Sequence, residues 1–276
     1  MLNAIKKGRK GRNGFTLVEL MVALGISSLL LTSIYTVFIS QEKTYAVQDQ
    51  VADTQQTLRV STALLIKEMR MAGYGAPAAT NVVNVTDAAV VFQEGNRQVN
   101  ADSITLIGCV RAAPTRLSAD AKQGTGTITV SDASSFAVGD NIVIGGIENV
   151  VINAIAGNQL TLNSNLQNSY LTNMNINLLR TVTYAIVIDD PPARPNPRLT
   201  RAENGGAAQP FVENIEDLQI TPTTANQSSY TVTLTATTDR EDRQNYVDPN
   251  FGDGFRRKTL SSNIKIRNLS IQNQGF

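Results

Sequence analysis

The 276-residue chain has no histidine, no tryptophan and a single cysteine. Without histidine, Ser-His-Asp and Cys-His catalysis and histidine-ligated zinc are excluded. With Cys109 alone, no intrachain disulfide can form. Cys109 stands in the apolar run Ile104-Thr105-Leu106-Ile107-Gly108-Cys109-Val110, which predicts a buried core thiol. Net charge is scarce too. The formal value is +1, and it gives no field for gripping nucleic acid. Aromatic side chains are too few for a platform on which single-stranded bases could stack. Phosphate-binding loops are missing, because Gly124-Thr125-Gly126 and Gly145-Gly146 lack a following Lys-Ser/Thr. No pair of carboxylates is singled out for acid–base work. Neither an enzyme nor a cofactor is expected.

What the chain does have begins at its N-terminus. Lys6, Lys7, Arg9, Lys10 and Arg12 precede Gly14 with no acid among them. An apolar stretch then runs from Phe15 to Ile39, and Glu19 is its only charge. As a helix this stretch rises about 37 Å, against a hydrocarbon core of about 30 Å. The basic leader predicts an N-terminus held in the cytoplasm, with the rest of the chain on the far side. Ala23-Leu24-Gly25 would suit a secretory signal cleavage site, but the apolar run continues well past it and Glu19 would lie within the hydrophobic region. A carboxylate in an ordinary anchor costs about 1–3 kcal/mol unless it is protonated or paired. Glu19 therefore points to a second, assembled state in which it meets a cation.

From Gln41 to Met71 there is neither proline nor glycine, and Val47, Val51, Thr54, Leu58, Ser61, Leu65, Met69 and Ala72 recur at helical spacing. Gly73, Gly75 and Pro77 end the pattern. One helix from Phe15 to Gly73 is expected, about 88 Å long, its first half in lipid or among similar helices and its second half covering a sheet. Period-two, β-rich segments follow at 89–93, 103–110, 126–130, 141–145, 149–155, 159–162, 176–189, 198–201, 216–221, 230–237 and 259–267. Their short connections favour antiparallel pairing. The proline-rich segment 190–197 is expected as a loop. Residues 131–162 alternate short strands with Gly, Asn and Asp turns, as an inserted β-subdomain would; turn chemistry accounts for Asp132 and Asp140. Asp248, Asn250 and Asp253 offer oxygen ligands at calcium-like spacing, but Gly252 stands where the EF-hand pattern needs Asp or Asn, so a turn-rich solvent loop is expected ahead of a calcium site. Arg256, Arg257 and Lys258 beside them are expected to be a solvated edge that deters strand pairing.

Gly14 followed by Phe15-Thr16-Leu17-Val18-Glu19 resembles the processing site of type IV prepilins and of type II secretion pseudopilins. Three further stretches resemble minor pilins of the PilW type: Lys67-Glu68-Met69-Arg70-Met71-Ala72-Gly73-Tyr74-Gly75, Phe211-Val212-Glu213-Asn214-Ile215-Glu216-Asp217-Leu218-Gln219-Ile220, and the segment from Arg256 to Asn268. The resemblance implies an α+β pilin-like fold, a long N-terminal helix on an antiparallel β-sheet with a β-rich insertion. It divides the chain into a leader (1–14), a transmembrane and filament-core helix (15–40), an amphipathic helix (41–75) and a periplasmic β-rich domain (76–276) with the insertion at about 119–175.

The resemblance also implies cleavage by prepilin peptidase between Gly14 and Phe15, N-methylation of Phe15, and pairing of Glu19 with a neighbouring subunit's amino terminus. The implied partners are other minor pilins, the major pilin and the inner membrane, in a complex that primes pilus assembly at the tip, supports twitching motility and can carry an adhesin. A pilin of this kind would move from the inner membrane into the extracellular pilus. A J-type pseudopilin of a type II secretion system shares the layout. A surface module for adhesion or DNA uptake, with the insertion gripping a ligand, is a different class of reading. Many major pilins carry a proline near Thr36, and this chain has none there.

Overall fold

A computed structural model describes residues 14–77, 82–92, 97–109, 115–189, 196–223, 228–242 and 245–268. The leader cations and most of the 190–197 segment lie outside these residues. The chain divides into two units, Met1–Asp49 and Gln50–Phe276. Helix α1 spans Leu17–Met71 and contributes to both.

In the second unit α1 turns one stripe inward. Thr54, Leu58, Ser61, Leu65 and Met69 are buried, followed by Ala72 just past the helix, all at the spacing read from the sequence. Ser61 can be buried because its hydroxyl donates to the Thr57 carbonyl at 2.7 Å. The helix ends at Gly73, whose positive φ of 79° places it in the left-handed region that glycine occupies without strain. The stop is pinned from two sides. Gly73 N–H donates to Ile107 O at 2.8 Å, and Asn268 Nδ2 donates to Ala72 O at 2.9 Å.

Thirteen strands follow: β1 (Val83–Phe92), β2 (Arg97–Cys109), β3 (Thr115–Arg116), β4 (Thr127–Thr129), β5 (Asn141–Ile144), β6 (Glu148–Ala156), β7 (Gln159–Leu162), β8 (Asn175–Asp189), β9 (Asn196–Glu203), β10 (Gln209–Glu213), β11 (Ile215–Pro222), β12 (Ser229–Thr237) and β13 (Arg257–Lys265). All pairings are antiparallel. The larger sheet has the order β1-β2-β8-β5-β6-β7-β4, with β9 and β3 also on β8 and β10 on β9; the smaller is β11-β12-β13. With α1 against these sheets, the fold is α+β and pilin-like.

Strand β8 belongs to both parts of the sheet. Its first residues pair with β3 and β5, and its later ones with β2 and β9. Two apolar cores result. One joins Leu58, Leu65 and Met69 of α1 to Ile104, Tyr184, Leu199, Leu218 and Val232. The other lies within residues 117–176 and centres on Ile142, Ile144, Ile152, Leu160 and Leu166. Strand β5 is buried on both faces, with Val143 in the first core and Ile142 and Ile144 in the second. The two sheets are also tied by a buried carboxylate, Asp102 Oδ2 of β2, which accepts the Ile220 N–H of β11 at 2.5 Å.

Three expectations are corrected. Of the loop read at 190–197, Asn196 and Pro197 are strand instead, pairing with Asp189 and Ile188, and the rest lies outside the described residues. Proline is tolerated at that point because β10 joins the other side of β9 only from Leu199 and Arg198. Strand β10 carries too little alternation to be read in advance. The basic run Arg256-Arg257-Lys258 is not a solvated edge throughout: Arg257 is half-buried, with its side chain only 9 % exposed, for reasons given below.

Candidate functional site

In the first unit, the N-terminal motif is the start of a helix. Thr16 precedes the first helical residue, and its N–H and hydroxyl donate to Glu19 Oε2 at 2.9 and 3.0 Å. Thr16 Oγ1 in turn accepts from Glu19 N–H at 3.3 Å. This is a reciprocal capping box, which satisfies donors that the first turn of any helix leaves open. The sequence reading assigned Glu19 to assembly alone. The signal for the second role was present in Thr16-x-x-Glu19 ahead of an apolar run. The capping box uses nothing before Thr16, so cleavage after Gly14 would leave it intact.

Gly14 has no heavy atom within 4 Å of where a Cβ would stand. The chain's own packing therefore does not require glycine at this position. Phe15 is 89 % exposed, and Leu17, Leu20, Met21, Leu24, Leu29, Leu31, Ile34 and Phe38 are exposed as well. Five hydroxyls along this part of α1 are internally satisfied. The hydroxyls of Ser28, Thr32, Ser33, Thr36 and Thr44 donate to helix carbonyls three or four residues back, at 2.8–2.9 Å. From Phe15 to Ile39 the surface offered outward carries no charge apart from Glu19, as a lipid or helix-bundle environment requires. It is long and apolar enough to cross a membrane, and none of its most apolar stretch is buried.

The loop 245–257 in the second unit answers the calcium reading. Asp248 and Asp253 face a guanidinium: Arg257 Nη1 lies 3.2 Å from Asp248 Oδ2, and Nη2 lies 2.6 Å from Asp253 Oδ2. Arg257 Nε reaches Glu216 Oε2 at 2.7 Å, and its plane lies 4.3 Å from the centroid of Phe251. Asn250 contributes its N–H to Asp248 Oδ1 at 2.9 Å. A cation is already bound by these carboxylates, and it belongs to the chain. No group of three or more metal-ligating residues occurs among the described residues. Arg257 escaped the sequence reading because its partners are separated from it by up to 41 positions.

Asp132 and Asp140 serve turns, accepting the N–H groups of Ser134 and Ala137 at 2.8 Å each. Cys109 is buried among apolar neighbours, and that burial pushes its thiol up to about 11. A further polar cluster joins α1 to the sheet. Tyr184 donates to Glu68 Oε2 at 2.6 Å, and Arg201 pairs with Glu68 and Glu203 at 3.4 and 2.7 Å. Its members lie far apart in sequence and gave no local signal. In the second core, Glu148 accepts from Gln167 N–H, Asn168 N–H and Tyr170 OH at 2.7, 3.2 and 2.9 Å, which fixes the turn that closes it.

Over residues 9–35 the chain matches the prokaryotic N-terminal methylation motif. The match supports a type IV pilin-like protein, a pilin- or pseudopilin-type subunit anchored in a membrane. The motif implies processing by prepilin peptidase and assembly with other pilins. No curated protein matches the chain. Among solved structures, the tailspike of Acinetobacter baumannii bacteriophage AP22, in complex with A. baumannii capsular saccharide, is similar over 28 % of this chain and 15 % of its own, at 24 % identity and a TM-score of 0.23. The chain thus aligns with less than a sixth of the tailspike, and that likeness carries no argument about fold or function.

Proposed function

We propose that this chain is a minor pilin of the PilW type. In this reading a prepilin peptidase removes residues 1–14, Phe15 is N-methylated, and the exposed helix anchors the subunit with its β-rich part in the periplasm. Other minor pilins and the major pilin then take up that helix, and the assembled subunit sits at or near the pilus tip, priming polymerisation and supporting twitching motility and adhesion. Its work is structural. The observation that carries the reading is an apolar helix surface left exposed from Phe15 to Phe38, directly after Gly14 and capped by Glu19. A peptidase site that admits no side chain would account for glycine at the cut.

Mass spectrometry of the membrane-fraction protein tests this. The expected first residue is Phe15 with a methylated amine, and Gly14→Asp leaves the leader attached. An intact leader on the native chain, or a first residue at Ile26, contradicts the reading.

A further inference from the structure

A cavity of about 380 Å³ opens at one end of the β11-β12-β13 sheet. Its size falls in the range of small-ligand sites, about 300–1,000 Å³. Three features of its walls distinguish it from a chance surface dent.

The first is the backbone. Neighbouring residues of a regular strand point to opposite faces, yet Glu216 and Asp217 both line this cavity. A register shift between Ile215 and Asp217 in the β11–β12 ladder makes this possible, since a bulge re-aims the side chain beside it. The bend follows Asn214, which holds a positive φ of 60°.

The second is the charge. Carboxylates of Glu216, Asp217 and Asp248 line the cavity, and Arg257 is the only cationic side chain among its lining residues. Arg257 is committed to Glu216, Asp248 and Asp253. Asp217 stands apart from that cluster. Its carboxylate accepts from Gln219 Nε2 at 2.9 Å and, among the described residues, has no ion pair. Desolvation raises its pKa, only partly offset by bonds from Gln219 and from the Leu218 backbone. A half-buried carboxylate without a cation is the group that a positively charged visitor would satisfy.

The third is the remaining lining. Thr235 and Thr259 stand in register with Asp217 across the sheet and share an exposed hydrogen bond of 3.1 Å. Asn250, Tyr246 and Phe251 also line the cavity, with Arg256 and Arg257 each over one face of a ring. Hydroxyls and an amide exchange hydrogen bonds readily with a hydroxylated ligand, while the rings supply flat apolar contact. An anion would be repelled by the carboxylates. A metal ion would have to displace the guanidinium already held by Asp248 and Asp253.

We propose that this cavity binds a small hydroxylated organic cation, its ammonium group on Asp217 and its hydroxyls on Thr235 and Thr259; a monosaccharide carrying a free amine is the simplest ligand of this class. All residues of the site belong to the second unit, and its test does not depend on pilus assembly.

Calorimetric titration of the full-length chain in detergent micelles, with glucosamine as the probe and its neutral N-acetyl form as the comparison, decides the matter. Saturable binding of glucosamine is expected, at least tenfold tighter than N-acetylglucosamine. Asp217→Asn keeps the shape, removes the charge, and should weaken glucosamine at least tenfold with an unchanged unfolding temperature. Thr235→Val should weaken it severalfold. Equal binding of the two sugars, no glucosamine binding, or an unaffected Asp217→Asn chain would overturn the proposal. An unaffected Thr235→Val chain would overturn the hydroxyl assignment, and tighter binding of diaminobutane than of glucosamine would do the same.

Discussion

Two stretches of α1 obey opposite rules. In the unit Met1–Asp49 nearly all the large apolar side chains of the helix are exposed, whereas in the unit Gln50–Phe276 the helix buries one stripe, with Leu58, Leu65 and Met69 in it. Both belong to one helix that runs from Leu17 to Met71. Secondary structure is therefore not where they differ. The second stretch is stabilised by a core that the same chain supplies. The first has its cap but no core, and its apolar surface must be covered by lipid or by other helices. A helix of this composition is a component awaiting an environment, and that is the physical content of a pilin-type subunit.

This contrast can be broken by substitutions that treat the two stretches alike. The largest effect is expected away from the helix, where the second unit depends most on internal partners. Arg257→Gln leaves Glu216, which is 2 % exposed, Asp248 and Asp253 without their shared cation. Removing one partner from a buried ion pair costs about 3–5 kcal/mol. Chemical denaturation of the full chain in detergent should show that loss, and limited proteolysis should cut within 245–256. A variant as stable as the native chain would mean that the cluster is ornamental.

Next comes a matched pair. Leu65→Ala empties a fully buried site against the first core, at an expected cost of about 2–5 kcal/mol. Leu29→Ala, at an exposed position, should change unfolding by no more than about 0.5 kcal/mol. Equal effects at the two positions would abolish the distinction between a self-covered and an environment-covered helix.

A smaller effect concerns Cys109. Burial disfavours the thiolate, so the folded thiol titrates near 11 instead of its ordinary value near 9. The unfolded chain releases this proton first, so the thiol's contribution to stability is complete below about 9 and declines as pH rises towards 11. Alkylation of the folded chain should stay slow at pH 8 and accelerate only on unfolding. Rapid labelling of the native protein would place the thiol at the surface.

How much of this was legible depended on the range of the interaction. The helix, its buried stripe and its glycine stop could be read because their signals repeat within a few residues. Most strands could be read for the same reason, and Asp132 and Asp140 were assigned to turns because an Asx turn is local. Arg257 was misread as a solvated charge because nothing near it in sequence announces Glu216. Nor could the calcium-like spacing of Asp248, Asn250 and Asp253 show that a guanidinium pairs with the two carboxylates among them. The bulge at Glu216 and the Tyr184–Glu68–Arg201 cluster likewise arise from pairing between distant strands. At the N-terminus the failure was of another kind. Thr16-x-x-Glu19 is a local signal, but the interest of an acid in an apolar run hid its role as a cap.

That double role provides the most direct measurement of the central claim. Gln at the third helical position completes a capping box as Glu does, but carries no charge. Val does neither. If Glu19 only starts the helix, Glu19→Gln should behave as the native chain in every respect. If the carboxylate also meets a neighbour's methylated amine in a water-poor filament core, charge itself is required. The measurement is co-purification of Glu19→Gln and Glu19→Val chains with other minor pilins, alongside pilus counts in cells carrying each. Both variants should be processed and held in the membrane normally. Val should enter the complex poorly, and Gln should fall between Val and the native chain. Native levels of assembly and piliation for Glu19→Val would contradict the account.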